Sequence, residues 1–100
     1  MNRVGGVGLI FETDSVNQGL RIADMKMNGP AMKSGIDMRG MTLVAINGQP
    51  VVNSSIEQIA SKLLGPPGSK VQLLLRPPMS SRYARPIEVL LEREAFAIVD

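Results

Sequence analysis

Glycine and proline decide where this chain can hold regular structure. Proline lacks an N–H and fixes φ, while glycine admits backbone angles other residues avoid, so clusters of the two end helices and strands. Ten glycines and seven prolines fall within 100 residues, and the segments between them are short. Gly5, Gly6 and Gly8 form a loop that feeds Leu9-Ile10-Phe11, residues suited to a strand. Turn chemistry at Asp14-Ser15-Val16-Asn17-Gln18-Gly19 precedes Leu20-Arg21-Ile22-Ala23-Asp24-Met25, whose alternation predicts a half-buried strand in a hairpin with the first. Pro30 and Gly35 bound a short helix through Ala31-Met32-Lys33. Thr42-Leu43-Val44-Ala45-Ile46 is an apolar run of strand length, closed by the turn pair Asn47-Gly48 and resumed at Val51-Val52.

A longer helix is predicted from Ser54-Ser55-Ile56-Glu57. That spacing fits a capping box, in which the serine oxygen accepts from the amide three residues on and the glutamate reaches back. Apolar Ile56, Ile59, Ala60, Leu63 and Leu64 recur at helical spacing, with Ile59 and Leu64 expected in the core, until Gly65-Pro66-Pro67-Gly68 stops the helix. Val71-Gln72-Leu73-Leu74-Leu75 is a strand ended by Pro77-Pro78, and Ile87-Glu88-Val89-Leu90-Leu91-Glu92-Arg93 is another. This order is neither a βαβ repeat nor an all-helical pattern. It predicts a mainly antiparallel α+β fold, a partly open barrel of five to six short strands capped by two helices. One domain over residues 1–94 is expected, with an apolar tail or boundary at 95–100.

Absences narrow the function. Without cysteine or histidine there are no disulfides, thiolate nucleophiles, histidine bases or usual zinc ligand sets. Aromatic residues are 3% of the chain, too few for a base-stacking platform. A formal charge of +2 is too small for a general nucleic-acid footprint. Ser61-Lys62 and Ser69-Lys70 do not make a catalytic pair on spacing alone. No enzyme, metal site, cofactor or nucleic-acid partner is therefore expected. Arg76, Arg82, Arg85 and Arg93 read as a local basic loop, solvated around Tyr83. No apolar run reaches the about 18 residues of a membrane span, so a soluble chain, cytoplasmic by default, is expected. Methionines 25, 27, 32, 38 and 41 read as filler for an irregular core, although exposure of several would make an adaptable contact surface. Gly6 and Gly8 do not open a dinucleotide fingerprint, because Phe11 stands where a third glycine is needed.

Four segments, in order, resemble a PDZ domain across nearly the whole chain. Gly6-Val7-Gly8-Leu9 stands where that family has its Gly-Leu-Gly-Phe carboxylate-binding loop. Gly29-Pro30-Ala31-Met32-Lys33-Ser34-Gly35 is similar to its Gly-Ser-Pro-Ala-x-x-Ala-Gly helix, and Leu43-Val44-Ala45-Ile46-Asn47-Gly48-Gln49-Pro50-Val51 to its Ile-Leu-Ala-Ile-Asn-Gly-x-x-Val strand and turn. Residues 55–71, and the pairing of 71–76 with 85–93, most resemble PDZ domains of bacterial and plastid C-terminal processing peptidases. Two departures stand out. Gly40 is followed by Met41 where the family usually has aspartate, and Ile56 occupies the place of the histidine that reads ligand hydroxyls.

The resemblance implies a site whose physics follows from its residues. Amides of Val7, Gly8 and Leu9 after Gly6 can converge on one carboxylate as a nest, with Arg3 adding a screened charge. The strand at 9–13 would lie at a sheet edge and accept an extended peptide as a further strand. Val7, Leu9 and Phe11, closed over by Leu63, would hold the ligand's last side chain; Ile10 is placed in the same groove, and Ile56 and Ala60 would border the position two residues earlier. The expectation is a non-catalytic module that binds a protein C-terminus with an apolar last residue, at micromolar affinity, about 8 kcal/mol. Two alternatives stand beside it: a subunit docked in a larger assembly through its methionine-rich surface, or the PDZ part of a processing peptidase, which would place it in a plastid or periplasm.

Overall fold

A computed structural model describes residues 5–14, 19–51, 54–78 and 85–95. In chain order it contains β1 (Gly5–Gly6), β2 (Leu9–Asp14), β3 (Gly19–Met25), α1 (Pro30–Lys33), β4 (Thr42–Ile46), β5 (Gln49–Pro50), α2 (Ile56–Leu63), β6 (Lys70–Arg76), β7 (Ile87–Glu92) and β8 (Glu94–Ala95). The predicted elements are present except that the strand after Asn47-Gly48 is Gln49–Pro50 rather than Val51-Val52, of which Val52 lies outside the described residues, and the two-residue strands β1 and β8 join the rest.

Alternation shapes the main sheet. Leu20 and Ile22 of β3, Val71, Leu73 and Leu75 of β6, and Val89 and Leu91 of β7 all turn inward, while the residues between most of them face solvent. The strands pair antiparallel in the order β2-β3-β4-β6-β7, with β5 added to β4. The sheet stays open, so β2 and β7 are its edges. A separate ribbon joins β1 to β8, pairing Gly5 with Ala95 and Gly6 with Glu94. The architecture is α+β, and α2 supplies Ile59 and Leu63 to a core that includes Ile22, Met38, Ile46 and Leu73. At the hairpin after β4, Asn47 and Gly48 both take positive φ, 50° and 80°, as a two-residue turn requires. The Asn47 side chain also accepts from the Gln72 N–H at 2.8 Å, tying the turn to β6.

Several expectations shift by a residue or a face. The capping box is Ser55 with Gln58, not Ser54 with Glu57: the Ser55 hydroxyl accepts from the Gln58 N–H at 3.1 Å, and the Ser55 N–H donates to Gln58 Oε1 at 2.9 Å. Ser54 is held in the preceding turn, its N–H on the Val51 carbonyl. Leu64, expected in the core, is instead the extended residue that ends α2 and is 43% exposed. Ala95 pairs with Gly5 in β8. Arg93 is no member of a basic loop; it is buried, whereas Arg85 is exposed and Arg82 and Tyr83 lie outside the described residues. The methionines divide: Met25 and Met38 are buried and Met41 packs on the core, while Met27 and Met32 are exposed. Asp37 and Arg39 pair across the turn around Met38, and the guanidinium's hydrogen bond holds the Asp37 carboxyl below its ordinary range.

Met38 is fully buried, so Met38→Ala should cost about 2–5 kcal/mol in urea unfolding, the usual loss for emptying a packed site. Ile10→Ala, at a position 52% exposed, should cost less than about 1 kcal/mol in the same measurement.

Candidate functional site

A cavity of about 420 Å³ opens between the edge strand β2 and helix α2. Leu9 and Phe11, two apart on β2, form one wall, because alternate residues of a strand share a face. Ile56, Ile59, Ala60 and Leu63 form the other, at helical spacing along α2. Ile59 and Leu63 reach into the core, while Ile56 and Ala60 remain exposed at the rim. The structure thus brings together Leu9, Phe11, Ile56, Ala60 and Leu63. It does not bring Ile10 to them: alternation turns that side chain to the other face of β2, and a register shift in the pairing with β3 follows it. Arg3 lies outside the described residues.

The glycine loop closes one end of the cavity. Its carbonyls are committed: Val7 O accepts from the Ala31 N–H at 3.0 Å and Gly8 O from the Lys26 N–H at 2.8 Å. Among the described residues no peptide bond is cis, and in a trans peptide the N–H points opposite to the C=O of the same plane. The N–H of Gly8 therefore points away from α1, and the N–H of Leu9 away from β3 and towards the open edge. Among the described residues no carbonyl takes up the N–H of Val7 or Gly8. Successive backbone N–H groups left without carbonyl partners are the kind of donor an anion can take up. Gly8 is required here twice, by its φ of +72° and by its approach to Gly29, whose Cα would lie 3.2 Å from an added Cβ. Val7 is buried in the core as well as lining the cavity, so it forms floor rather than open wall.

Two parts of the site escape sequence reasoning. The cavity continues around the loop to Lys26, Met27 and Asn28, the turn before α1. Asn28-Gly29-Pro30 reads as a helix start in sequence; in the structure Asn28 also takes a φ of 63°, which brings this turn back beside Gly8. The second is Arg93, whose guanidinium donates to the last carbonyls of α2 from 30 residues away. A signal existed: Val89, Leu91 and Arg93 share one strand parity, so the arginine is in phase with inward-facing residues. Among the described residues no acidic cluster could hold a metal ion.

An apolar cleft beside an unpaired strand edge, headed by a loop of outward amides, defines a binding module. The chain belongs to the PDZ domain family, whose sequence profile matches residues 21–77. The matched span covers the α1, β4 and α2 segments, and the glycine loop precedes it. Among solved structures, the PDZ domain of a carboxy-terminal protease from Vibrio cholerae, in complex with a peptide, superimposes with a TM-score of 0.81 at 22% identity over 97% of this chain and 100% of that one. The photosystem II D1 C-terminal processing protease matches with a TM-score of 0.81 at 26% identity, over 99% of this chain and 25% of that one. The HtrA-type protease AlgW, with a decapeptide, gives 0.75 at 15% identity, over 97% and 31%. The chain thus spans a third or less of these two proteases. No curated protein matches it in sequence. Among the described residues, no helix is long and apolar enough to cross a membrane.

Gly8→Ala and Gly48→Ala both force a left-handed alanine, costing about 1–2 kcal/mol each. Gly48 has nothing within 4 Å of an added Cβ, whereas Gly8 meets Gly29 and Lys26. Thermal unfolding should therefore show the larger loss for Gly8→Ala, with amide shifts centred on residues 26–29.

Proposed function

We propose that this domain binds the free C-terminus of another protein, ending in an apolar residue, as an added strand on β2. The terminal carboxylate sits on the amides of Val7, Gly8 and Leu9. The last side chain enters the cavity between Leu9, Phe11 and Leu63, over Val7. Ile56 and Ala60 border the side chain two positions earlier, and their aliphatic surface favours an apolar residue there. The observation that carries this reading is the direction of the Gly8 and Leu9 amides: the carbonyls of their peptide planes are held by Ala31 of α1 and by Lys26 beyond β3, so the two donors point away from those elements in a loop that lines the cavity.

The energetics suit a reversible contact. Strand pairing contributes about 0.5–1.5 kcal/mol per net hydrogen bond and a buried apolar side chain about 1.5–3 kcal/mol. Against these stands an association cost of several kcal/mol, so micromolar affinity is the outcome. The module itself is non-catalytic, and its chemistry is recognition by backbone amides and aliphatic walls. The processing-protease neighbours support a place for it as the substrate-recognition part of such an enzyme.

Isothermal titration with hexapeptides ending in Val or Leu should give micromolar Kd values. The same peptides amidated at the C-terminus lose hydrogen bonds to a charged group, at about 1.5–3 kcal/mol each, and should bind at least about tenfold more weakly. Equal binding of the free and amidated forms would sink the reading.

A further inference from the structure

Helix α2 ends without the left-handed glycine that often satisfies a helix's last carbonyls, since Leu64 is extended at φ −81°, ψ 148°. A cation does that work instead. Arg93 donates Nε to the Leu63 carbonyl at 2.8 Å and Nη2 to the Lys62 carbonyl at 3.0 Å. Its Nη1 reaches the Ser69 hydroxyl at 2.9 Å and the Lys70 carbonyl at 3.4 Å. The Arg93 backbone is tied to the same segment, its N–H donating to Ser69 O and its carbonyl accepting from the Gly68 N–H. Arg93 is 8% exposed, and among the described residues no carboxylate pairs with it. A buried cation neutralised only by carbonyls and a hydroxyl is a costly way to end a helix. Its geometry does something a simple cap does not.

Gly65 connects that arginine to the ligand loop. A Cβ at Gly65 would lie 2.9 Å from Arg93 Cζ, so the guanidinium occupies the space that a side chain there would need. Gly65 also exchanges both backbone hydrogen bonds with Gly5, at 2.7 and 3.1 Å. Gly5 and Gly6 run directly into Val7. One guanidinium thus lies between the Leu63 turn of α2, to which it donates, and Gly65, which is bonded to the base of the amide loop.

We infer that Arg93 is a positioning residue for ligand recognition, setting the depth of the space that receives the ligand's last side chain. The inference rests on the peptide-binding reading and adds to it a residue that touches no ligand. The planar fork matters, because a lysine ammonium cannot span the Lys62 and Leu63 carbonyls and the Ser69 hydroxyl with the same rigidity.

The test compares wild type, Arg93→Lys and Gly65→Ala against hexapeptides that differ only in a last residue of Ala, Val or Phe. The amide spectrum of each variant establishes that it is folded. In wild type the Arg93 Nε–H resonance should shift as each binding peptide saturates the site. Both variants should lose at least about tenfold in affinity for the Val-ended peptide, and their Kd values for Val- and Phe-ended peptides should converge to within about twofold. A merely structural arginine lowers the Tm and leaves the Kd ratios of the folded protein unchanged. Wild-type binding with an unmoved Nε–H and variant ratios equal to wild type would overturn the inference and leave the peptide-binding reading standing. Should the variants not fold, the wild-type Nε–H titration decides alone. No wild-type binding of any peptide would overturn both.

Discussion

Two hydrogen bonds orient the rest of the site: Ala31 N–H to Val7 O and Lys26 N–H to Gly8 O. They consume the carbonyls of successive peptides in the glycine loop, and planarity then directs the paired N–H groups the opposite way. The donors belong to Ala31, the first residue after Pro30 in α1, and to Lys26, the first residue beyond β3. Two elements with little apparent connection to a ligand therefore aim the amides. Gly8 is the residue that makes this affordable, since its φ of +72° would strain any other side chain and a Cβ would meet Gly29.

The cleft depends on how the other wall is held. Ile59 and Leu63 anchor α2 to the core, and the capping box of Ser55 and Gln58 secures its first turn. Its last turn has neither a glycine cap nor a long apolar face, because Leu64 leaves the helix at once. Arg93 completes it through carbonyls, and the same side chain meets Gly65, which is paired with Gly5 at the base of the loop. Packing thus fixes α2 to the sheet, while polar contacts fix it to the loop.

Much of this was legible in sequence, and the failures have physical causes. Strand alternation and the Asn47-Gly48 turn are local signals, and they placed β3, β4, β6 and β7 to within a residue or two. The PDZ resemblance names the strand and helix of the groove and these periodicities pick out Leu9, Phe11, Ile56, Ala60 and Leu63, whereas placing Ile10 there goes against its own strand parity. Choosing between Ser54 and Ser55 as the cap is beyond local pattern, because both serines offer an acceptor and only the core demand of Ile59 and Leu63 sets the helical phase. Pairings such as β1 with β8 join residues nearly a chain length apart and involve glycines with no pattern to read. Counting charge groups Arg93 with Arg76, Arg82 and Arg85 in a local basic loop, whereas its strand parity points inward.

The central claim is that the loop amides are the ligand's anchor. Amide hydrogen exchange at Val7, Gly8 and Leu9, followed with and without a saturating peptide bearing a free apolar C-terminus, tests it most directly. The account predicts rapid exchange at these amides in the free domain and strong protection in the complex, with Leu9 and Phe11 on the ligand-facing edge of β2 protected together. Binding that leaves the loop amides exchanging as in the free protein, while protecting another surface such as β7, would contradict it.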